Sequence, residues 1–141
     1  MLAETAIANL LYTYAERIDA GDFTGAAALF DRAVIKLAEG RETDAAGLLA
    51  IWQQRIVLYP CGSPRTKHVV TNPIIEVDAA AGTATGLSVF PVLQQVGGEP
   101  VQSSAAGRYH DSFHCEAGAW HFTTRDLSLF DMAGELGQHL R

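Results

Sequence analysis

Cysteine is scarce in this chain. Cys61 and Cys115 are its only two. Two are too few for a disulfide framework, and they read as reduced thiols of a cytoplasmic protein. Basic clusters are also missing. The formal net charge is −6 and no run of Lys and Arg exceeds a pair or so. A nucleic-acid partner needs a basic stripe to neutralise phosphates, so none is expected. No apolar run approaches the length of a membrane span, and Glu4 stands where a secretory leader would be basic. Neither a membrane partner nor a signal segment is therefore expected. No Gly-rich loop joins a strand to a helix, and no Ser sits in a Gly-x-Ser-x-Gly elbow, which removes the nucleotide and serine-hydrolase signatures. Repeats, linkers and low-complexity stretches are absent, so residues 1–141 read as one domain.

What is present is apolar and patterned. Hydrophobic residues make up 48% of the 141 residues and charged residues 18%, which argues for a packed core. Ile7, Leu10, Leu11, Tyr14, Ala15 and Ile18 recur at spacings of three and four, predicting a helix from about Ala3 to Ala20, stopped by Gly21. Asp22 can cap a short second helix carrying Phe23, Ala26, Ala27 and Phe30. Residues Ala33 to Ala38 are β-like. Thr43 or Asp44 can cap a third helix running to about Leu58, with Leu48, Leu49, Trp52, Ile56 and Tyr59 inward. After Pro60, Gly62 and Pro64 the period changes to two. Thr66–Asn72, Ile74–Val77, Thr83–Val96, Val101–Cys115 and Ala119 to about Phe130 read as strands on short connections. Pro73 and Pro91 mark bulges or edges. The tail, Ala133–Arg141, has no strong pattern.

The stretch Ala105–Arg125 organises the rest. With a turn at Ala117-Gly118 and Glu116 opposite Ala119, Tyr109, Asp111, Phe113, Trp120 and Phe122 share an aromatic face. Arg108, His110, Ser112, His114, His121, Thr123 and Arg125 share the other. Helices first and antiparallel strands after predict an α+β fold. Three N-terminal helices pack on a strongly curved, mostly antiparallel sheet, forming a cone with an internal pocket. Leu87, Val89, Pro91 and Leu93 alternate with Gly86, Ser88, Phe90 and Val92, so both sides of that strand are largely apolar. A second copy covering the outer side predicts a homo-dimer or homo-trimer.

The candidate chemistry rests on few residues. Asp19 lies at the border of the apolar stripe of the first helix, either as a locally bonded last-turn acid or as a site carboxylate. His68 sits on a strand, either as a hydrogen-bonded core residue or as a base that needs a carboxylate to fix its tautomer. His110 and His114 lie four apart on a strand, roughly 13 Å, too far to share one ion. No metal site is expected.

Several motifs together resemble a known pattern: Tyr14-Ala15, Ile18-Asp19, Gly21-Asp22-Phe23, Thr66-x-His68, Asn72-Pro73, Gly107-Arg108-Tyr109-x-Asp111, Gly118-x-Trp120-x-Phe122 and Arg125. In order and over nearly the whole chain, they are similar to the SnoaL-like branch of the nuclear transport factor 2-like superfamily. Within it the sequence most resembles scytalone dehydratases and hexachlorocyclohexane dehydrochlorinases, which use a His–Asp dyad without metal or organic cofactor. The resemblance implies Asp19 and His68 as the catalytic pair, with Asp111 and Arg125 as pocket residues. It implies the same cone. The face count puts Arg125 on the outer side, and a bulge between Trp120 and Arg125 would bring it inward. Ala38, Val92 and Tyr109 stand where scytalone dehydratases carry a pocket tyrosine, histidine and asparagine, so a different substrate is implied.

The expected function is a cofactor-independent lyase or isomerase acting on a small hydrophobic cyclic molecule by His–Asp general base catalysis. Tyr14, Trp52, Tyr59, Phe90, Tyr109, Asp111 and Arg125 are the expected substrate-binding residues. The competing reading is a non-catalytic small-molecule-binding or assembly module, including a role like that of a dioxygenase small subunit.

Overall fold

The change of period after Pro64 separates the helices from most of the sheet. The computed structural model describes residues 1–141. Helix α1 spans Ala3–Asp19 and buries Ile7, Leu11, Tyr14, Ala15 and Ile18 on one stripe. It stops where Gly21 takes a φ of +79°, and a Cβ at that position would lie 2.1 Å from the Gly62 carbonyl oxygen. Only glycine fits both demands. Asp22 caps α2 (Phe23–Ala28), accepting the Gly25 N–H at 2.8 Å. Asp44 rather than Thr43 caps α3 (Ala45–Arg55), accepting the Gly47 N–H at 2.9 Å. Each cap satisfies an N–H that the first turn leaves unpaired. Helix α3 ends before Leu58, because Ile56 is already extended and bridges to Leu140.

Eight strands form one mixed sheet, the first two between α2 and α3: β1 (Val34–Lys36), β2 (Glu42–Thr43), β3 (Thr66–His68), β4 (Thr71–Asp78), β5 (Thr83–Gln94), β6 (Gln102–Glu116), β7 (Ala119–Asp126) and β8 (Phe130–Ala133). The order is β2-β1-β7-β6-β5-β3, with β4 also on β5 and β8 also on β6. Strand β1 runs parallel to β7, and every other pairing is antiparallel. The expected strand Thr66–Asn72 is broken at Val69-Val70, and Asn72 takes a positive φ just before Pro73. The expected strand Ala119–Phe130 is also two. Strand β7 stops at Asp126, whose carboxylate accepts both the Ser128 N–H and hydroxyl, and the chain turns to return as β8 along the first half of β6.

The expected cone is not what forms. The sheet path is open, running from the two-residue β2 to the three-residue β3, and no pairing joins those ends. Strand changes occur by sharing an edge: β3 and β4 take successive parts of β5, and β8 and β7 successive parts of β6. Register shifts at Thr71/Ile74, Val92/Leu93 and Ala106/Gly107 end or redirect the ladders. Bulges here interrupt pairing rather than coil the sheet shut. The α+β class stands; the strong curvature and the enclosed internal pocket do not.

The turn at Ala117-Gly118 opposes Glu116 to Ala119. Tyr109, Asp111, Phe113 and Phe122 are buried, whereas Arg108, His110 and His114 are exposed. Arg125 departs from simple alternation. Ser112 pairs with Thr124 and Phe113 with Phe122, so Thr123 is one extra residue on β7. That bulge turns Arg125 to the aromatic side, opposite Asp111. The pair is fully enclosed, each side chain 0% exposed, with Arg125 Nε on Asp111 Oδ1 at 2.8 Å and Nη2 on Oδ2 at 3.0 Å. The guanidinium lies 3.8 Å from the Tyr109 ring centroid and 4.5 Å from that of Tyr14. Burial opposes its charge, and the Asp111 carboxylate outweighs burial and holds it protonated. Removing one partner strands a buried charge. Asp111→Ala should therefore lower stability by about 3–5 kcal/mol in urea unfolding. A loss under about 1 kcal/mol would mean the pair is not a core element.

Candidate functional site

The site begins where α1 ends. Asp19 is the last residue of α1, and Thr66 and His68 are two apart on β3, so their side chains leave the strand on one side. The Asp19 carboxylate accepts three hydrogen bonds: the Thr66 hydroxyl on Oδ1 at 2.8 Å, the His68 backbone N–H on Oδ2 at 2.7 Å, and His68 Nδ1 against Oδ1 at 2.7 Å. A carboxylate at a helix C-terminus opposes the helix dipole, and these donors offset that cost. Asp19 has no proton to give in its ionised form, so Nδ1 carries the hydrogen and donates it. Nε2 is then the bare, basic nitrogen.

His68 lines a cleft of about 370 Å³ bounded by α1, α3, β5, β6 and the segment 136–141. Thirteen of its eighteen lining residues are hydrophobic, which suits an apolar guest held by a few polar groups. The His68 ring has 7% side-chain exposure. Tyr14 meets it edge-on at 6.3 Å and Phe90 lies nearly parallel at 6.5 Å. Phe90 stacks in turn on Tyr109 at 4.0 Å. Burial raises the Tyr14 phenol above its ordinary range and the Tyr109 phenol well above it, so both keep their protons.

The predicted site residues divide into three groups. Tyr14, Trp52, His68, Phe90 and Tyr109 line the cleft, and Asp19 holds His68 from behind. Tyr59 does not line it; its hydroxyl donates to the Gln138 carbonyl. Asp111 and Arg125 do not line it either, because Tyr14 and Tyr109 cover the guanidinium. The ion pair supports the aromatic floor and does not reach the opening.

Sequence reasoning missed His139, which lines the cleft with its ring centroid 6.0 Å from that of His68. Its segment is tied down by backbone bonds, Val57 N–H to the His139 carbonyl at 2.8 Å and Arg141 N–H to the Arg55 carbonyl at 3.0 Å. Gln94 adds a side-chain bond to the Gln138 carbonyl at 3.0 Å. The run Leu136-Gly137-Gln138-His139-Leu140 offers one weak signal, an apolar pair four apart flanking the histidine. Burial, reinforced by the nearby His68, pushes the His139 pKa down to about 4.

A family model for the SnoaL-like domain matches residues 1–126. The chain belongs to the SnoaL-like family. No curated protein matches it. Solved structures of the nuclear transport factor 2-like superfamily share its fold. One is a provisionally assigned scytalone dehydratase from Novosphingobium aromaticivorans, 19% identical over 95% of this chain and 93% of that one, with a TM-score of 0.67. LinA is 18% identical over 96% of this chain and 90% of its own, at 0.70. The β subunit of a provisionally assigned aromatic-ring-hydroxylating dioxygenase, also from N. aromaticivorans, is 16% identical over 97% and 95%, at 0.71. Likeness at these identities speaks to the fold. The family match stops at Asp126, so β8 and the segment carrying His139 lie beyond it.

Burial of His139 predicts a pH dependence of stability. Its folded-state pKa of about 4 lies below its ordinary 6.5, so between those values the unfolded chain binds more protons. Stability should fall as pH drops from about 6.5 toward 4 and level off below. In His139→Gln that part of the slope should flatten, as read from urea midpoints against pH. A wild-type slope retained in the variant would contradict the assignment.

Proposed function

We propose that this SnoaL-like protein is a cofactor-independent lyase or isomerase that takes a proton from carbon in a small hydrophobic cyclic molecule. Nε2 of His68 is the base. Asp19 orients the ring through Nδ1 and balances the imidazolium that forms. Loss of a proton and a neighbouring leaving group changes no overall oxidation state, so side chains suffice for the step. The apolar walls, Tyr14, Trp52, Phe90 and Tyr109 among them, would hold a ring against His68 and keep water from solvating the base. The observation that carries this reading is the Asp19–His68 bond at 2.7 Å in a histidine that lines the cleft. The likeness to a scytalone dehydratase and to LinA supports it at the level of fold.

A non-catalytic binding or assembly module is the second reading, favoured by the likeness to a dioxygenase β subunit over nearly its whole length. One assay separates the two. The substrate being unknown, a generic carbon acid serves: 5-nitrobenzisoxazole, a small planar ring that opens to a coloured phenolate when a base removes its one acidic C–H. The wild type should accelerate the opening above buffer, and His68→Gln should lower kcat by about 100-fold or more. Acceleration that survives His68→Gln, or none in the wild type, would favour the binding module.

A further inference from the structure

His139 has no task in the mechanism above, yet it lines the same cleft as His68. Its ring lies 6.0 Å from that of His68, edge-on at 67°. Only 7% of the residue is exposed. Nδ1 is enclosed and has no hydrogen-bond partner. A buried bare acceptor is less costly than a buried orphaned N–H. The hydrogen therefore sits on Nε2, which has no protein partner either and is not enclosed. Such a group is a neutral donor on the lining of a mostly apolar cleft, next to an enclosed nitrogen left without a partner.

We propose that His139 binds the oxygen of the group that departs, or that gains negative charge, when His68 removes the proton. Nε2–H donates to that oxygen from beside the base. This rests on the reading of His68 as a general base and extends it to the substrate: a small hydrophobic ring whose acidic C–H neighbours a carbon–oxygen or nitrogen–oxygen bond, or a carbonyl. In the elimination, the C–H electron pair forms the new π bond, the bond to oxygen breaks, and oxygen leaves with that electron pair. The proton moves to His68 Nε2. His139 gives a hydrogen bond and keeps its proton, since full transfer would leave an imidazolate.

The other charged or titratable groups lining the cleft are Tyr14 on α1, Arg55 on α3, Tyr109 and Arg108 on β6, and Arg141. The three arginines give a general attraction for anions, and His139 gives a directed bond. Burial and the neighbouring His68 keep the His139 ring neutral at ordinary pH, so it does not compete with His68 for the one carboxylate.

The test compares 5-nitrobenzisoxazole with unsubstituted benzisoxazole, whose phenolate is the more basic leaving group. Removing a donor to the departing oxygen should cost more where more charge develops. In His139→Ala, kcat should fall about 10-fold for the nitro compound and about 100-fold for the parent, with KM little changed. His139→Gln, which retains an N–H donor, should recover part of both. Equal losses on the two compounds would overturn the proposal, because a merely structural defect does not sense the leaving group. A second readout needs no turnover: the affinity of the product, 2-cyano-4-nitrophenolate, followed by its absorbance. It should weaken about 10-fold in His139→Ala, with the arginines in place, and remain in His68→Gln. If wild-type turnover is absent but this binding depends on His139, the base reading fails and the oxygen site stands. Binding that is absent, or indifferent to His139, overturns the oxygen site, whatever the turnover.

Discussion

Three hydrogen bonds to one carboxylate join the two halves of this fold. Asp19 ends α1, and it takes the Thr66 hydroxyl, the His68 backbone N–H and the His68 ring. The backbone bond fixes where β3 lies against α1, and the ring bond fixes where His68 points. A single side chain thus sets both the packing of helix on sheet edge and the tautomer of the histidine. Such sharing makes the geometry rigid: His68 cannot rotate away without giving up a charge-assisted bond at a site with little water. It also explains why a carboxylate is tolerated at the unfavourable end of a helix dipole.

The aromatic floor depends on a second buried charge pair. Asp111 and Arg125 are enclosed beneath Tyr14 and Tyr109, and the guanidinium is also within 5.1 Å of the Phe30 and Phe122 ring centroids. A cation beneath ring faces is attracted to them, and more strongly when desolvated. One further nitrogen, Nη1, has no partner. The pair thereby holds two cleft-lining tyrosines in place without entering the cleft. Motif likeness alone made these residues a binding pair; burial makes them its foundation. The one-residue bulge at Thr123 is what permits it, since unbroken alternation would have turned Arg125 to the outside.

Much of this was legible in the residues. The spacing of Ile7, Leu11, Tyr14 and Ile18 defined α1, Asp22 gave one cap and the pair Thr43-Asp44 the other, and Ala117-Gly118 set the register of β6 on β7. The encounter of Asp19 with His68, 49 residues apart, came from family likeness, because local pattern carries no information on distant pairing. Overall curvature is not legible in the residues: long strands predict coiling, whereas β5 and β6 exchange partners along their edges and the sheet stays open. His139 was invisible for a related reason. Its segment has no period of its own and is held by β5, α3 and the residues just after α3, through contacts such as Gln94 to Gln138 and Val57 to His139. Order imposed from outside leaves no trace in hydrophobic spacing.

The central claim is that Asp19 holds His68 with a protonated Nδ1 and a bare Nε2 facing the cleft. Nitrogen-15 NMR of the histidine side chains reads that directly, with His68→Gln used to assign the signal. In the neutral ring of the folded protein, the account predicts a protonated Nδ1 and an unprotonated Nε2, the reverse of the tautomer free imidazole side chains favour. A His68 carrying its hydrogen on Nε2 would contradict it, for then Asp19 would not be accepting from the ring and no basic nitrogen would face the cleft.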